Sequence, residues 1–114
     1  MRIAIPTNDK KIVSVHFGRT SFISVYDTET ENFEHYDNVQ NKESAHGAGT
    51  QTAANLIDMK VRVLLSPNLG PKAFDVLNST DIELYEIENT NIDINEAVKL
   101  YKNGALKKMN APTK

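Results

Sequence analysis

The residues of this chain that could bind a ligand are concentrated in three short segments, residues 15–19, 45–50 and 66–71. His16 lies in the first segment and His46 in the second, and an imidazole ring can coordinate a transition metal or donate a hydrogen bond to an anion. Arg19 adds a planar fork of donors with a permanent positive charge. These residue types indicate binding of an anionic group or a metal complex.

The other candidate binding residues in the three segments are small, amide or aromatic: Phe17, Gly18, Gly47, Gly49, Asn68 and Gly70. We expect glycine at position 18 because the backbone there either has a positive φ or closely approaches another part of the chain. His46 precedes a glycine pair and a predicted helix, so its ring would lie beside first-turn N–H groups that attract anions. We expect these residues, with His16, Arg19 and His46, to bind a cofactor, and the two histidines to be the metal ligands.

Each of these residues also has an ordinary structural explanation. His16 could hydrogen-bond to a loop carbonyl, and Arg19 could form a surface ion pair. The glycines around residue 48 could simply make a tight turn, leaving His46 in solvent. Asn68 could cap the helix that follows it, and His35 is expected on the surface of a strand. The sequence leaves these alternatives open.

Composition excludes several classes of protein. The 114 residues contain 13 Lys+Arg against 15 Asp+Glu and no cysteine, giving a net charge of −2. Without cysteine there is no thiolate metal site, and without a basic stripe we expect no nucleic-acid partner. The apolar runs are too short for a membrane span and no secretory signal is apparent, so we expect a cytoplasmic protein without a membrane partner. No serine lies in a Gly-x-Ser-x-Gly elbow, so hydrolase chemistry is unsupported.

Hydropathy patterns predict five strands and three helices in the order βββαβαβα. The predicted strands cover residues 2–6, 22–27, 33–36, 61–65 and 82–87, and the predicted helices cover 50–59, 72–78 and 93–104. Asp93 and Glu96 match a capping box at the start of the third helix, and Gly104 is a plausible stop. With no linker or repeat, we expect a single domain over residues 1–114.

Connection rules then favour one α/β architecture. A meander of the first three strands, followed by right-handed crossovers, gives a five-stranded mixed sheet in the order 3-2-1-4-5, with strand 2 antiparallel and helices on both faces. This order brings the three segments to one edge of the sheet, where open α/β sheets bind ligands. We therefore expect His16 and His46 to share a crevice.

Five motifs carry a resemblance to a known family: Ile3-Ala4-Ile5-Pro6, His16-Phe17-Gly18-Arg19, Tyr26-Asp27-Thr28-Glu29, His46-Gly47-Ala48-Gly49 and Asn68-Leu69-Gly70-Pro71-Lys72-Ala73-Phe74. In this order and spacing they resemble the dinitrogenase iron–molybdenum cofactor biosynthesis family over nearly the whole chain. The resemblance implies a ribonuclease H-like fold. One departure is Pro67, where family members often carry glycine, and it stiffens the third segment.

The resemblance implies a non-enzymatic carrier that transiently binds an iron–molybdenum or iron–sulfur cluster or its precursor. Its partners would be the cluster and the donor and acceptor proteins of cluster assembly, in a setting related to nitrogen fixation. The alternative is a sensor or regulatory module that binds a small anionic metabolite at the same helix N-terminus. A metal-dependent nuclease comes third, because the first strand contains no acidic residue.

Overall fold

A computed structural model describes residues 1–38 and 47–113, which form six strands and three helices. The strands are β1 (Arg2–Thr7), β2 (Phe22–Asp27), β3 (Asn32–Asp37), β4 (Val63–Ser66), β5 (Glu83–Glu86) and β6 (Lys107–Lys108). The helices are α1 (Ala48–Asp58), α2 (Pro71–Asn78) and α3 (Ile94–Lys102). Among the described residues, none of the three helices combines the length and the hydropathy that a membrane-spanning helix requires.

The strands form one mixed sheet in the order β3-β2-β1-β4-β5-β6. The predicted order and the antiparallel direction of β2 are confirmed, since β2 pairs antiparallel with both β1 and β3 while β1, β4 and β5 are parallel. The prediction of five strands is wrong. The sixth strand, β6, is two exposed lysines paired antiparallel with β5, and a charged dipeptide has no hydrophobic period from which a strand can be read. The ribonuclease H-like classification stays a prediction.

Helices cover both faces of the sheet, as predicted. Along β1, Ala4 packs in the core on the α1 and α2 side, whereas Ile3 and Ile5 pack on the α3 side. All three side chains are fully buried. This alternation is the period-2 pattern of a strand, and burial on both faces explains why β1 is a continuous apolar run.

Helix α3 begins and ends close to the predicted positions. Asp93 is its N-cap, and the carboxylate accepts a hydrogen bond of 2.7 Å from the backbone N–H of Asn95. The predicted reciprocal half of the capping box is wrong, because Glu96 makes no side-chain hydrogen bond to the described residues. Gly104 follows the helix with φ +70°, the left-handed conformation that glycine adopts without strain.

The sheet aligns the ends of its strands so that several loops meet at one edge. Thr7 at the end of β1 pairs with Phe22 at the start of β2, which in turn pairs with Asp37 at the end of β3. The parallel strand β4 ends at Ser66 on the same edge, because β1 and β4 run in the same direction. The first and third segments therefore leave the sheet side by side.

A turn anchored by Asp9 carries the chain from β1 into the first segment. The Asp9 carboxylate accepts hydrogen bonds from the backbone N–H groups of Lys11 (2.9 Å) and Ile12 (2.8 Å), while Lys10 has φ +66°. The two N–H groups, led by that of Ile12, lower the pKa of Asp9 below its ordinary value of 3.8.

Replacing Asp9 by Asn should therefore lower stability most at neutral pH. A carboxylate with a lowered pKa in the folded state stabilises the fold above its ordinary value of 3.8, and that stabilisation is lost as the pH falls through the folded pKa. Urea unfolding of wild type and D9N, measured from neutral pH down to below pH 3.8, should give a difference in the free energy of unfolding that shrinks toward acid pH.

The control for this prediction is Asp81→Asn, since Asp81 is exposed and its carboxylate accepts no hydrogen bond from the described residues. A D9N difference that stays constant with pH would contradict the assignment of the turn to the ionised carboxylate.

Candidate functional site

The edge where these loops meet contains a cavity of about 420 Å³. Its lining comes from the first segment, the start of α1 and the third segment: His16, Phe17, Gly18, Arg19, Gly47, Ala48, Gly49, Thr50, Asn68, Gly70, Pro71, Lys72 and Ala73. Every predicted binding residue in the described ranges is among them. His46 lies outside the described residues, so its place in a crevice shared with His16 stays a prediction.

Gly18 brings the first segment into direct contact with the start of α1. A Cβ atom at Gly18 would lie 2.5 Å from the backbone N and 2.6 Å from the Cα of Gly49, and 2.9 Å from the backbone carbon of Ala48. Real side chains do not approach backbone atoms so closely, so only glycine fits here without displacing the helix. Of the two backbone needs predicted for Gly18, close approach is the one that the structure supports.

A buried polar cluster behind Gly18 holds this contact in place. The Asn38 amide donates hydrogen bonds to the carbonyls of Gly18 (3.1 Å) and Thr20 (3.0 Å), and the Thr52 hydroxyl donates to the Gly18 carbonyl at 3.3 Å. Asn38 is 4% exposed and Thr52 is fully buried. Buried polar groups need partners of this kind, so the cluster ties the end of β3, the first segment and α1 to one another.

Asn68 connects the first and third segments. Its side-chain amide donates to the backbone carbonyl of Val15 at 2.8 Å, and the backbone carbonyl of Asn68 accepts a hydrogen bond of 2.7 Å from the hydroxyl of Ser66. The alternative in which Asn68 caps α2 is wrong, because the N-cap is Gly70 and makes no side-chain capping bond. Asn68 lies against the cavity while its amide N–H is used to position the first segment.

His16 is held through its backbone and exposes its side chain. The Ser14 hydroxyl accepts from the His16 N–H at 3.1 Å and lies 3.2 Å from the His16 carbonyl, to which it donates. The imidazole forms no hydrogen bond with the described residues, so the structural alternative of a ring bonded to a loop carbonyl is not observed there. Over the same part of the chain no three His, Asp or Glu side chains come together as a metal site.

Two helix N-termini face the cavity. Gly47 is the N-cap of α1 with φ +74°, and Gly70 is the N-cap of α2; over the described ranges neither helix has a side-chain cap or an acidic residue in its first turn. The first intrahelical bonds are donated by the N–H groups of Gln51 and Phe74, so the amides before them point toward the cavity end without helical acceptors. Each terminus carries a partial positive charge that favours an anion.

The charged side chains around the cavity have the same sign as the helix ends. Arg19 and Lys72 are exposed and both line the cavity, and among the described lining residues there is no Asp or Glu. The whole chain nevertheless has a net charge of −2. Among the described residues, the charged side chains that line the cavity are therefore all positive, which is the arrangement that attracts an anionic ligand.

Sequence reasoning missed three residues that build the site. Lys72 follows the proline that starts α2, and its position at a helix N-terminus is a signal that could have identified it. Asn38 and Thr52 carry no such signal, because their partners lie in other elements. Phe17, which was predicted to bind, is 4% exposed and anchors the first segment in the core.

Replacing Gly18 by Ala should destabilise the protein by about 1–3 kcal/mol, because the added methyl group forces backbone atoms apart. The matched control is Gly49→Ala in α1, whose Cβ would lie 3.5 Å from the Cβ of Ala73 in α2, an ordinary van der Waals contact between the two helices. G49A should be as stable as wild type or up to about 1 kcal/mol more stable. Denaturant unfolding checks both variants, and equal stability of G18A and wild type would refute the close-contact explanation.

Comparison with known proteins places this fold and site in a family. The family model described as dinitrogenase iron–molybdenum cofactor matches residues 1–104, which include every residue that lines the cavity. An uncharacterized protein of Methanocaldococcus jannaschii is 32% identical over 110 residues, which span 95% of this chain and 91% of that protein.

Solved structures agree with the family match. The apo form of the orange protein from Desulfovibrio gigas has a TM-score of 0.91 at 29% identity, covering 99% of this chain and 96% of that one. A candidate NifB protein from Thermotoga, assigned to the DUF35 family, has a TM-score of 0.83 at 29% identity, with 99% and 97% covered. The resemblance seen in the motifs is confirmed, and the chain belongs to the dinitrogenase iron–molybdenum cofactor family.

Proposed function

We propose that this protein is a non-enzymatic carrier that binds an iron–molybdenum or iron–sulfur cluster, or a precursor of one, in the cavity at the sheet edge. The observation that carries the proposal is the convergence on one cavity of about 420 Å³ of Arg19, Lys72, His16 and two helix N-termini that have no side-chain cap among the described residues. Membership of a family named for the iron–molybdenum cofactor supports the choice of cargo. The orange protein, a structural neighbour solved in its apo form, supports reversible occupancy.

The donors around the cavity suit a cluster that carries negative charge on its outer atoms. Backbone N–H groups and the Arg19 fork can donate hydrogen bonds to sulfide or oxygen, and Lys72 adds a point charge. His16 can ligate an exposed iron through its ring, with His46 as the proposed second ligand. Because the chain contains no cysteine, no thiolate anchors the cargo, and the cluster would exchange readily with other proteins.

This mode of binding defines the rest of the proposed role. The cluster arrives from a donor protein of cluster assembly and leaves to an acceptor, in the cytoplasm and in a setting related to nitrogen fixation. The residues named above as proposed ligands and donors, with Phe17, Gly18, Gly47, Gly49, Asn68 and Gly70, form the proposed binding site. We also propose that residues 1–114 form a single domain and that its fold is ribonuclease H-like.

A second candidate function follows from the same helix ends. Helix N-termini attract phosphate and carboxylate groups, and the described residues place no acidic cap on either one, so a sensor of a small anionic metabolite would use the same cavity. Anaerobic titration with a thiolate-ligated [4Fe–4S] cluster and with extracted iron–molybdenum cofactor, read by visible absorption, separates the two. Saturable binding that inorganic phosphate does not displace supports the carrier. Binding of phosphate with no binding of either cluster supports the sensor.

Replacing His16 by Ala should weaken cluster binding by about tenfold or more while changing the free energy of unfolding by less than about 0.5 kcal/mol, because the ring is exposed. His46→Ala should behave in the same way if that ring is the second ligand. Titration and denaturant unfolding measure the two quantities on the same samples.

The matched control for His16 is His35→Ala. His35 is exposed on β3, bonds to Ser24 at 2.6 Å and does not line the cavity. H35A should keep the wild-type affinity, although the lost bond lowers its stability. An equal loss of affinity in H16A and H35A would indicate adventitious metal binding by surface histidines.

Replacing Arg19 by Lys should weaken cluster binding by about tenfold at every salt concentration, because lysine keeps the charge but loses the planar fork of donors. Binding by wild type should itself weaken as ionic strength rises, since screening reduces the attraction of exposed charges. The matched control is Arg62→Lys, an exposed arginine outside the cavity lining. If R19K binds the cluster as tightly as wild type, Arg19 contributes only its positive charge and not its planar fork of donors. If cluster binding does not change with salt concentration, an electrostatic site is excluded.

A further inference from the structure

The chain after β6 returns to the cavity edge and contacts the third segment. We name residues 109–113 the C-terminal clasp. At its start, Met109 is 7% exposed in the core on the α1 and α2 side, and its N–H donates to the carbonyl of Leu84 at 2.8 Å. At its end, Thr113 lies against Leu69. The clasp is therefore fixed at both ends rather than trailing in solvent.

The contact between Thr113 and Leu69 has two hydrogen bonds. The Leu69 N–H donates to the hydroxyl of Thr113 at 2.8 Å, and the Leu69 carbonyl accepts from the Thr113 N–H at 3.0 Å. Leu69 is fully buried, so its backbone groups need protein partners. Thr113 satisfies both the donor and the acceptor of this one residue.

Leu69 stands between the two residues that connect the third segment to the rest of the site. Asn68 before it holds the first segment through the Val15 carbonyl, and Gly70 after it is the N-cap of α2. A shift of Leu69 would therefore move the start of α2, and it would also disturb the hydrogen bond between Asn68 and Val15 that positions His16. The clasp thus acts on both sides of the cavity through a single buried residue.

We propose that Thr113 is a positioning residue for cargo binding, and that the C-terminal clasp fixes the α2 N-terminus and the first segment in their binding geometry. The inference rests on the proposed function for its consequence, but its structural part stands on the two bonds to Leu69. The clasp lies beyond residue 104, where the family match ends, so the family description does not assign it.

The test compares Thr113→Val with Thr113→Ser and Thr80→Val. T113V removes the hydroxyl that accepts from Leu69 and keeps the branched shape, whereas T113S restores the hydroxyl. Thr80 is the matched control, because its hydroxyl accepts from the N–H of Ile82 at 3.1 Å at the opposite end of α2, outside the cavity lining. The readouts are hydrogen exchange of the Leu69 amide and affinity for the thiolate-ligated [4Fe–4S] cluster.

We expect T113V to speed exchange of the Leu69 amide by about tenfold and to weaken cluster binding by about threefold to tenfold, because a lost buried hydrogen bond is of that size. T113S should match wild type in both readouts, and T80V should leave both unchanged even where it lowers the melting temperature. Wild-type cluster affinity in T113V, or an equal loss in T80V, would overturn the role of Thr113.

The two proposals fail separately. If wild type binds no cluster, the proposed function falls, and exchange of the Leu69 amide in T113V still decides whether the clasp holds the third segment. If T113V does not fold, hydrogen exchange of the wild-type protein tests the clasp instead. The Leu69 and Thr113 amides should then open in one event, with equal free energies of opening. Unequal opening of these two amides would overturn the clasp.

Discussion

The contact between Gly18 and the first turn of α1 is the constraint on which the site depends. It places the backbone of the first segment directly against Ala48 and Gly49, with no room for a side chain between them. The Asn38 amide and the Thr52 hydroxyl then hold the Gly18 carbonyl from behind. His16 and Arg19, on either side of Gly18, are thereby brought to the α1 N-terminus by the backbone, and the described residues show no direct bond between the His16 imidazole and the helix.

The site separates residues that hold the loops from residues that face the cavity. Backbone atoms of the first segment form hydrogen bonds with the side chains of Asn68, Asn38 and Ser14. His16 and Lys72 expose their side chains at the cavity. Polar groups whose partners lie within the protein rigidify a loop, and exposed side chains beside a rigid loop stay accessible from the cavity. This division explains how the loops around the cavity are held in place although few residues of ligand type line it.

Electrostatics give the cavity its sign although the protein as a whole is acidic. The net charge of −2 is spread over the chain, while two helix N-termini and two cationic side chains face one cavity whose described lining has no carboxylate. A capping aspartate, like Asp93 on α3, would neutralise either terminus. Among the described residues, α3 has a side-chain cap, whereas α1 and α2, whose N-caps are glycine and face the cavity, have none.

The sequence by itself determined the local elements and identified residues that line the cavity. A continuous apolar run predicted β1, alternating residues predicted β2, helical periodicity predicted the three helices, and connection rules predicted the order of the first five strands. Each of these signals is carried by neighbours in the chain. The two-residue β6 had no such signal. Only the tertiary structure decided how the site is held: the Asn38, Thr52 and Thr113 bonds join residues 20, 34 and 44 positions apart. A hydrogen bond between distant residues depends on how the elements pack and leaves no pattern along the sequence.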